Sequence, residues 1–176
     1  IVRAAGDGLE KTLDRLLAPV TEDPPFTETA ALLRQTAEDA DDIQPLKTWW
    51  LYRMTAGPSP LTEKMCLFWH NLFATSNIKV RSAKHMGAQN DLIRTHALGD
   101  FKALLAGMAR DVAMLIWLDG NANRLRSPNE NFAREVMELF TLGVGNYTET
   151  DIREAARAFT GWTFEQRAEL AETLAE

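Results

Sequence analysis

Hydrophobic side chains recur at helical spacing along most of the chain. The clearest case is residues 60–74, whose apolar positions follow the i, i+3, i+4, i+7, i+8 pattern of a core helix: Met65, Phe68, Trp69, Leu72 and Phe73. No stretch of useful length alternates apolar and polar residues as a half-buried strand does. The pattern therefore predicts an all-α fold, an irregular bundle of about eight to ten helices without a significant sheet.

Capping and breaking residues predict where these helices begin and end. Ser, Thr and Asp accept hydrogen bonds from the free N–H groups of a first helical turn, and Pro is tolerated there. We therefore expect Thr27 to cap the second helix, Pro45 to begin the third and Ser59 to cap the fourth. We also expect Asp100 to cap the sixth helix, and Thr148 or Thr150 to cap the ninth. The predicted helices span about residues 7–18, 28–37, 45–56, 60–74, 82–97, 101–108, 111–118, 128–143, 150–160 and 165–176, with a connector at 75–81.

The stretch Ser127 to Gly145 carries its own helix start and stop. Ser127 precedes Pro128, and Glu130 stands three residues after Ser127, which is the pattern of a capping box. The predicted helix begins at Pro128 and ends at Gly143. Its apolar face carries Phe132, Val136, Leu139 and Phe140, and its polar face carries Glu130, Asn131, Arg134, Glu135 and Glu138.

Composition favours one globular domain over residues 1–176, because 45% apolar and 25% charged residues are ordinary values for such a chain. Acidic residues outnumber basic ones by 25 to 19, and no broad basic stripe is present, which excludes a nucleic-acid binder. No apolar run is long enough to cross a bilayer, so we expect no transmembrane segment. The single cysteine excludes an internal disulfide framework.

The excess of acid lies in residues 1–44, which hold four basic and ten acidic residues. This charge fits a module with a basic protein partner, and a solvated surface explains it equally well. The chain begins with Ile1 rather than Met, so we expect it to start inside a longer product.

Three segments carry long motifs: LFWHNLFATS at 67–76, HALGDF at 96–101, and NENFAREVMELFTLGVGNYTETDIREAARAFTGW at 129–162. Together they resemble the bacterial family catalogued as Domain of Unknown Function 1800. The resemblance covers about residues 45–164, whereas residues 1–44 fit loosely and 165–176 do not fit.

This resemblance implies a mostly helical protein without an assigned activity. Members of the family are usually longer, are often exported, and carry further polar motifs, including a His-Asp pair, in a second half. The resemblance thus implies that this chain is the N-terminal part of an exported or periplasmic protein, and that a C-terminal half packs on it. Many relatives carry a second histidine where this chain has Leu72, so a metal role of that histidine could not operate here.

His70 is the first candidate for chemistry. Cys66 lies four residues before it, and therefore on the same helix face. That spacing suits a metal site, or a nucleophile with its base. The alternative is a core thiol beside a histidine that is hydrogen-bonded to a neighbouring helix.

The polar face of the stretch 127–145 is the second candidate. Glu135 and Glu138 share one helix stripe with Arg134. With His70 they would form the catalytic site of a metal-dependent hydrolase, in which His70 and a carboxylate act as ligand or general base. The alternative is an exposed face crossed by salt bridges. A di-iron site is not supported, because no histidine has Glu three residues before it.

A loop before this stretch is the third candidate. Asp119, Asn121, Asn123 and Glu130 occupy positions 1, 3, 5 and 12 of a calcium-binding loop. Position 6, which requires Gly, is Arg124. A divalent metal would then be the cofactor, although the sequence requires none, and an Asn-rich turn is the alternative.

Two classes of function therefore stay open, besides calcium binding. The first is a helical domain whose polar residues form an internal network that serves the fold or binds a protein partner. The second is the enzyme described above. The network residues are His70, Asn71, Asn129, Asn131, Arg134, Glu135 and Glu138.

Overall fold

The computed structural model describes residues 2–18, 20–124 and 126–164. It contains ten α-helices in these ranges and no β-strand, which confirms the all-α prediction. No helix within them is both long and apolar enough to cross a membrane. The helix predicted at 165–176 lies outside the described residues.

The chain divides into two compact units, Ile1–Ala113 and Met114–Glu176. The prediction of a single domain over residues 1–176 stays a prediction. The helices are α1 Val2–Leu17, α2 Pro24–Asp39, α3 Ile43–Ala56, α4 Pro60–Phe73, α5 Asn77–Val80, α6 Ala83–His96, α7 Phe101–Met108, α8 Val112–Trp117, α9 Asn131–Glu135 and α10 Glu149–Ala158.

The first unit is built around α6. This helix packs against α4 and α7, and it also contacts α2, α3 and α5. Helix α2 in turn packs against α3. The buried apolar residues of this unit include Leu46, Trp49, Cys66, Phe73, Ile93, Leu104 and Met108.

Side-chain caps set several helix starts in the first unit, and those of α2 and α3 differ from the predictions. Asp23 caps α2 by accepting a hydrogen bond from the Phe26 N–H at 2.9 Å, so the prediction of Thr27 as the cap is wrong. Asp42 caps α3, which begins two residues before Pro45. Asp100 caps α7 as predicted. Helix α4 begins at the expected residue, but Ser59 makes no side-chain capping bond.

The buried face of α4 matches the predicted apolar one only in part: Phe73 is buried as expected, and Met65, Trp69 and Leu72 are half-buried. Phe68 is 54% exposed, whereas Glu63, Cys66 and Phe73 are buried. These three residues recur at i, i+3 and i+10, so they share one face that turns toward the centre of the unit. The periodicity of the large apolar residues misplaced this face, because a charged residue occupies a core position.

Residues 75–81, predicted as a connector, contain the short helix α5. Ala74 and Arg81 flank this helix with φ of 48° and 53°, in the left-handed region that side chains other than glycine rarely adopt. The backbone around α5 is thus held in a costly conformation by its surroundings.

The second unit is organised around Ile152 and Ala156 of α10, which pack with Ala133 of α9 in a small core. The ring of Phe132 meets the ring of Phe159 edge to face, with the centroids 5.0 Å apart. A capping box starts α10, and Thr148, one of the two predicted caps, supplies it.

The predicted start at Pro128 is wrong, since α9 begins at Asn131 and no capping box forms at Ser127. Ser127 instead lies in an isolated β-bridge with Arg124. The side chain of Asn129 accepts a hydrogen bond from the Asn131 N–H at 2.9 Å. The predicted stop at Gly143 is confirmed, where a φ of 80° suits glycine.

Helix α9 continues from Val136 to Thr141 as a π-helix. Its i→i+5 bonds widen the turn and change which side chains face the core. Leu139 is therefore 58% exposed although it was predicted on the apolar face, while Phe132 and Phe140 are buried as expected.

Candidate functional site

A cavity of about 460 Å³ lies in the first unit, between α3, α4, α5 and α6. Its size falls within the range of small-molecule pockets. Leu46, Trp50 and Met86 give it apolar walls, and a few polar side chains converge on it. A mostly apolar pocket with few polar groups is the common form of a ligand site.

His70 reaches this cavity from α4. Its ring packs edge-on against Trp50, with the ring centroids 5.2 Å apart and an interplanar angle of 81°. Burial lowers the pKa of His70, so the imidazole is neutral at pH 7 and carries one donor and one acceptor. Within the described residues, its ring nitrogens have no hydrogen-bond partner, in contrast to the predicted bond to a neighbouring helix.

Thr75 lines the same cavity just after α4. The residue is 5% exposed, and its hydroxyl oxygen has no hydrogen-bond partner in the described part of the chain. A buried hydroxyl without a partner costs the fold about 1–3 kcal/mol. The fold thus keeps a polar group at the cavity that is unfavourable unless something else bonds to it.

Asn90 adds a donor from α6. Its carbonyl oxygen Oδ1 accepts a hydrogen bond from Nη2 of Arg94 at 2.5 Å, and this bond fixes the orientation of the amide, because arginine can only donate. The group that Asn90 can still offer is its NH₂, which carries two donors.

Cys66 does not act as a nucleophile in this structure. Burial raises the pKa of the Cys66 thiol to about 12, so the reactive thiolate does not form near neutral pH. The thiol contacts the backbone oxygen of Asn90 at 3.7 Å. Cys66 is therefore a core thiol, which was one of the two interpretations of its spacing.

A buried carboxylate, which was not predicted from the sequence, lies behind the cavity. Glu63 is 4% exposed and accepts hydrogen bonds from Arg53 Nε at 3.1 Å and from Arg94 Nε at 2.8 Å. Burial by itself raises the pKa of Glu63, but the hydrogen bonds and charges of Arg94 and Arg53 outweigh it and lower this pKa. Glu63 therefore stays ionised and fully engaged.

These two arginines and Arg34 surround Trp49. The guanidinium carbons of Arg34, Arg53 and Arg94 lie 4.9, 5.9 and 5.0 Å from the centroid of its ring. Gly87 makes room for this arrangement, because a Cβ there would collide with the guanidinium of Arg34. The cation–π contacts and ion pairs hold α2, α3, α4 and α6 around the cavity wall.

The predicted carboxylates lie in the second unit. Glu138 accepts a hydrogen bond from the Tyr147 hydroxyl at 2.7 Å. Burial, and then the charge of Glu138, raise the pKa of Glu135. Arg134 forms two bonds to the Glu149 carboxylate, at 3.0 and 2.9 Å, and one to Glu130 at 3.2 Å. His70 belongs to the first unit, so a catalytic site that combines it with these residues stays a prediction.

Other parts of the predicted network form local bonds. Asn129 Nδ2 donates to the backbone oxygen of Asp119 at 3.3 Å, and Asn131 Nδ2 donates to the Asp119 carboxylate at 3.3 Å. Asn71, in the first unit, is exposed. The asparagines of the second unit thus fasten the loop to the start of α9.

Three of the four residues of the calcium hypothesis, Asp119, Asn123 and Glu130, use their side chains in other hydrogen bonds. Asn123 donates to the backbone oxygen of Ala156 at 2.8 Å and accepts from the Asn129 N–H at 3.0 Å. The oxygen of the Asn121 side chain is buried without a partner. Across the described ranges, no three His, Cys, Asp or Glu residues are grouped as a metal site. Calcium binding stays a prediction.

Comparison with known families assigns the chain. The family described as Protein of unknown function (DUF1800) matches residues 1–175. The chain belongs to this family. The match extends on both sides of residues 45–164. The resemblance expected from the motifs, which was loose over residues 1–44 and absent over 165–176, was therefore too narrow. No curated protein and no solved structure matches the chain.

In this DUF1800 chain, the motif at 67–76 supplies both His70 and Thr75 to the cavity. Residue spacing led us to His70 but not to Thr75, Asn90 or Glu63. The spacing of Glu63, Cys66 and His70 at i, i+3 and i+7 was a signal for Glu63, because it places this carboxylate on the same helix face. Thr75 and Asn90 carry no such signal, since only packing brings them to the cavity.

Proposed function

We propose that the first unit binds a small, largely apolar molecule in the cavity beside His70. The observation that carries this proposal is the buried hydroxyl of Thr75, a cavity-lining residue, which has no hydrogen-bond partner among the residues that the structure describes. A buried polar group that costs stability in the wall of an apolar cavity is better explained by a ligand than by the fold.

Binding is favoured over catalysis by the state of the neighbouring groups. The high pKa of Cys66 removes a nucleophile, and the two arginines on Glu63 remove a free base. His70 is neutral and able to donate or accept a hydrogen bond, which suits recognition of a polar group on the ligand.

The first experiment titrates the full chain with N-phenyl-1-naphthylamine, a neutral dye whose fluorescence rises in apolar surroundings. We expect saturable binding of one dye molecule, and Met86→Trp, which fills the cavity, should weaken it at least about tenfold. Leu51→Trp is the matched control, because Leu51 is exposed on α3. Absence of saturable binding, or equal binding by Met86→Trp, would contradict the proposal.

The second experiment tests the hydroxyl itself. Thr75→Val keeps the shape of the side chain and removes the unpartnered oxygen, so it should raise the free energy of unfolding of the free protein by about 1 kcal/mol. Thr48→Val is the control, since the Thr48 hydroxyl donates to the Gln44 backbone oxygen at 3.1 Å. No gain in Thr75→Val would mean that solvent satisfies the hydroxyl, and the proposal would lose its main support.

A further inference from the structure

The polar groups of the cavity also define the chemistry of its ligand. We infer that the cavity takes an uncharged molecule that presents an acceptor oxygen, such as that of a ketone, aldehyde, ester or amide, to Thr75 and Asn90. This inference rests on the proposed function, and it concerns the class of molecule rather than the existence of binding.

Hydrogen-bond donors outnumber acceptors among the groups still able to bond. The side-chain oxygen of Asn90 already accepts a hydrogen bond from Arg94, so the group that Asn90 can still use is its NH₂, which only donates. The Thr75 hydroxyl has no hydrogen-bond partner in the described ranges, and the neutral His70 ring carries one N–H. The indole N–H of Trp50 is already bonded to Glu63 at 3.2 Å, so Trp50 offers only its apolar ring. A single carbonyl oxygen, with two lone pairs, would satisfy two of these donors.

The charges around the cavity disfavour an anionic ligand group in its interior. The nearby arginines Arg53 and Arg94 are paired with Glu63, and burial lowers the pKa of His70, so neither source supplies a free positive charge. Among the described residues that line the cavity, the one that carries a full charge is Lys47, which is exposed. A buried carboxylate would therefore be unpaired, which is far more costly than a buried carbonyl.

A cationic ligand group is excluded by the same network. Glu63 already accepts bonds from Arg53, from two nitrogens of Arg94, and from Trp50. Its two oxygens have no room for a ligand ammonium, and none of the described residues that line the cavity is a carboxylate. An uncharged ligand is what remains.

The test compares three molecules with the same ring: naphthalene, 2-acetonaphthone and 2-naphthoate. Each displaces N-phenyl-1-naphthylamine from the full chain at pH 7.5. We expect 2-acetonaphthone, which adds a carbonyl oxygen, to bind about tenfold more tightly than naphthalene or 2-naphthoate.

Two variants then locate the carbonyl. Asn90→Asp keeps the acceptor oxygen for Arg94 and removes the NH₂ donors, and Thr75→Val removes the hydroxyl. Each should lower the affinity for 2-acetonaphthone about tenfold and change that for naphthalene little. Asn71→Asp is the matched control, because it makes the same chemical change on the exposed side of α4. Far-ultraviolet circular dichroism verifies that each variant is folded. If Asn90→Asp does not fold, the affinities of Thr75→Val alone decide the test.

The outcomes separate this inference from the proposed function. If naphthalene binds as tightly as 2-acetonaphthone, or if 2-naphthoate binds most tightly, the inference is overturned while binding in the cavity stands. If 2-acetonaphthone keeps its affinity in the folded variants, the carbonyl does not meet these donors and the inference is again overturned. If neither the dye nor any of the three molecules binds, the proposed function itself fails.

Discussion

The indole nitrogen of Trp50 donates a hydrogen bond to Oε2 of Glu63 at 3.2 Å. This bond connects a wall of the cavity to the buried ion-pair network behind it. Because Glu63 is also held by Arg53 and Arg94, the position of Trp50, and with it the edge contact to His70, depends on charges that no ligand touches. The network therefore shapes the cavity as well as joining the helices of the first unit.

The first prediction concerns Glu63. Glu63→Gln leaves two arginines in the interior without their common negative charge, so it should lower the free energy of unfolding by about 3–5 kcal/mol. Urea unfolding followed by tryptophan fluorescence measures this. Asp91→Asn is the matched control, because Asp91 bonds to Arg34 and Arg94 but is 54% exposed, and it should cost less than about 1 kcal/mol. Similar losses in both variants would show that burial does not set the strength of these pairs.

The second prediction concerns pH. Burial lowers the pKa of His70 in the folded protein, whereas the unfolded chain binds a proton near the ordinary value of 6.5. Below about pH 6.5 the unfolded state thus holds more protons, and stability should decline as the pH falls toward the folded pKa of His70.

His85 acts in the same direction, because burial and the charge of Lys84 lower its pKa as well. We therefore compare His70→Phe with the parent in a His85→Gln background, measuring unfolding in urea from pH 7.5 to 5. The decline should be shallower in His70→Phe. Parallel profiles would be incompatible with a histidine that is neutral in the folded state.

The third prediction tests the start of α9. Ser127 forms no capping box, so Ser127→Ala should change the free energy of unfolding of the second unit by less than about 0.5 kcal/mol. Thr148 accepts a hydrogen bond from the Asp151 N–H at 3.2 Å, so Thr148→Ala should cost about 1 kcal/mol. Hydrogen exchange of the α9 and α10 amides reports these changes locally. A larger loss in Ser127→Ala would reinstate the helix start predicted from the sequence.

The fourth prediction concerns calcium. The side-chain NH₂ of Asn123 already donates to Ala156, and its side-chain oxygen already accepts from Asn129. Arg124 also occupies the position at which a calcium loop needs glycine. We therefore expect the same melting temperature in 5 mM calcium chloride as in EDTA. This concentration lies above the dissociation constants of weak calcium loops, which are about 0.1–1 mM. A rise in melting temperature that Asp119→Asn abolishes would establish the calcium site instead.

The sequence by itself determined the helical class of the chain and most helix ends. Helical periodicity and caps such as Asp100 and Thr148 are local properties, because a cap involves residues only two or three apart. The motif at 67–76 likewise pointed to His70 without any knowledge of the fold. Such features survive in the structure because no distant contact competes with them.

Tertiary structure alone decided which faces are buried and what the cavity offers. Glu63 occupies a core position of α4 because Arg53, ten residues before it, and Arg94, 31 residues after it, neutralise its charge. Without those partners a carboxylate lies at the surface, so the apolar pattern of α4 predicted a buried face that does not include Glu63. Thr75 and Asn90 come from different segments and meet at one cavity only when α4 and α6 pack together. Local spacing cannot encode such a meeting, because it depends on the summed packing of the whole unit.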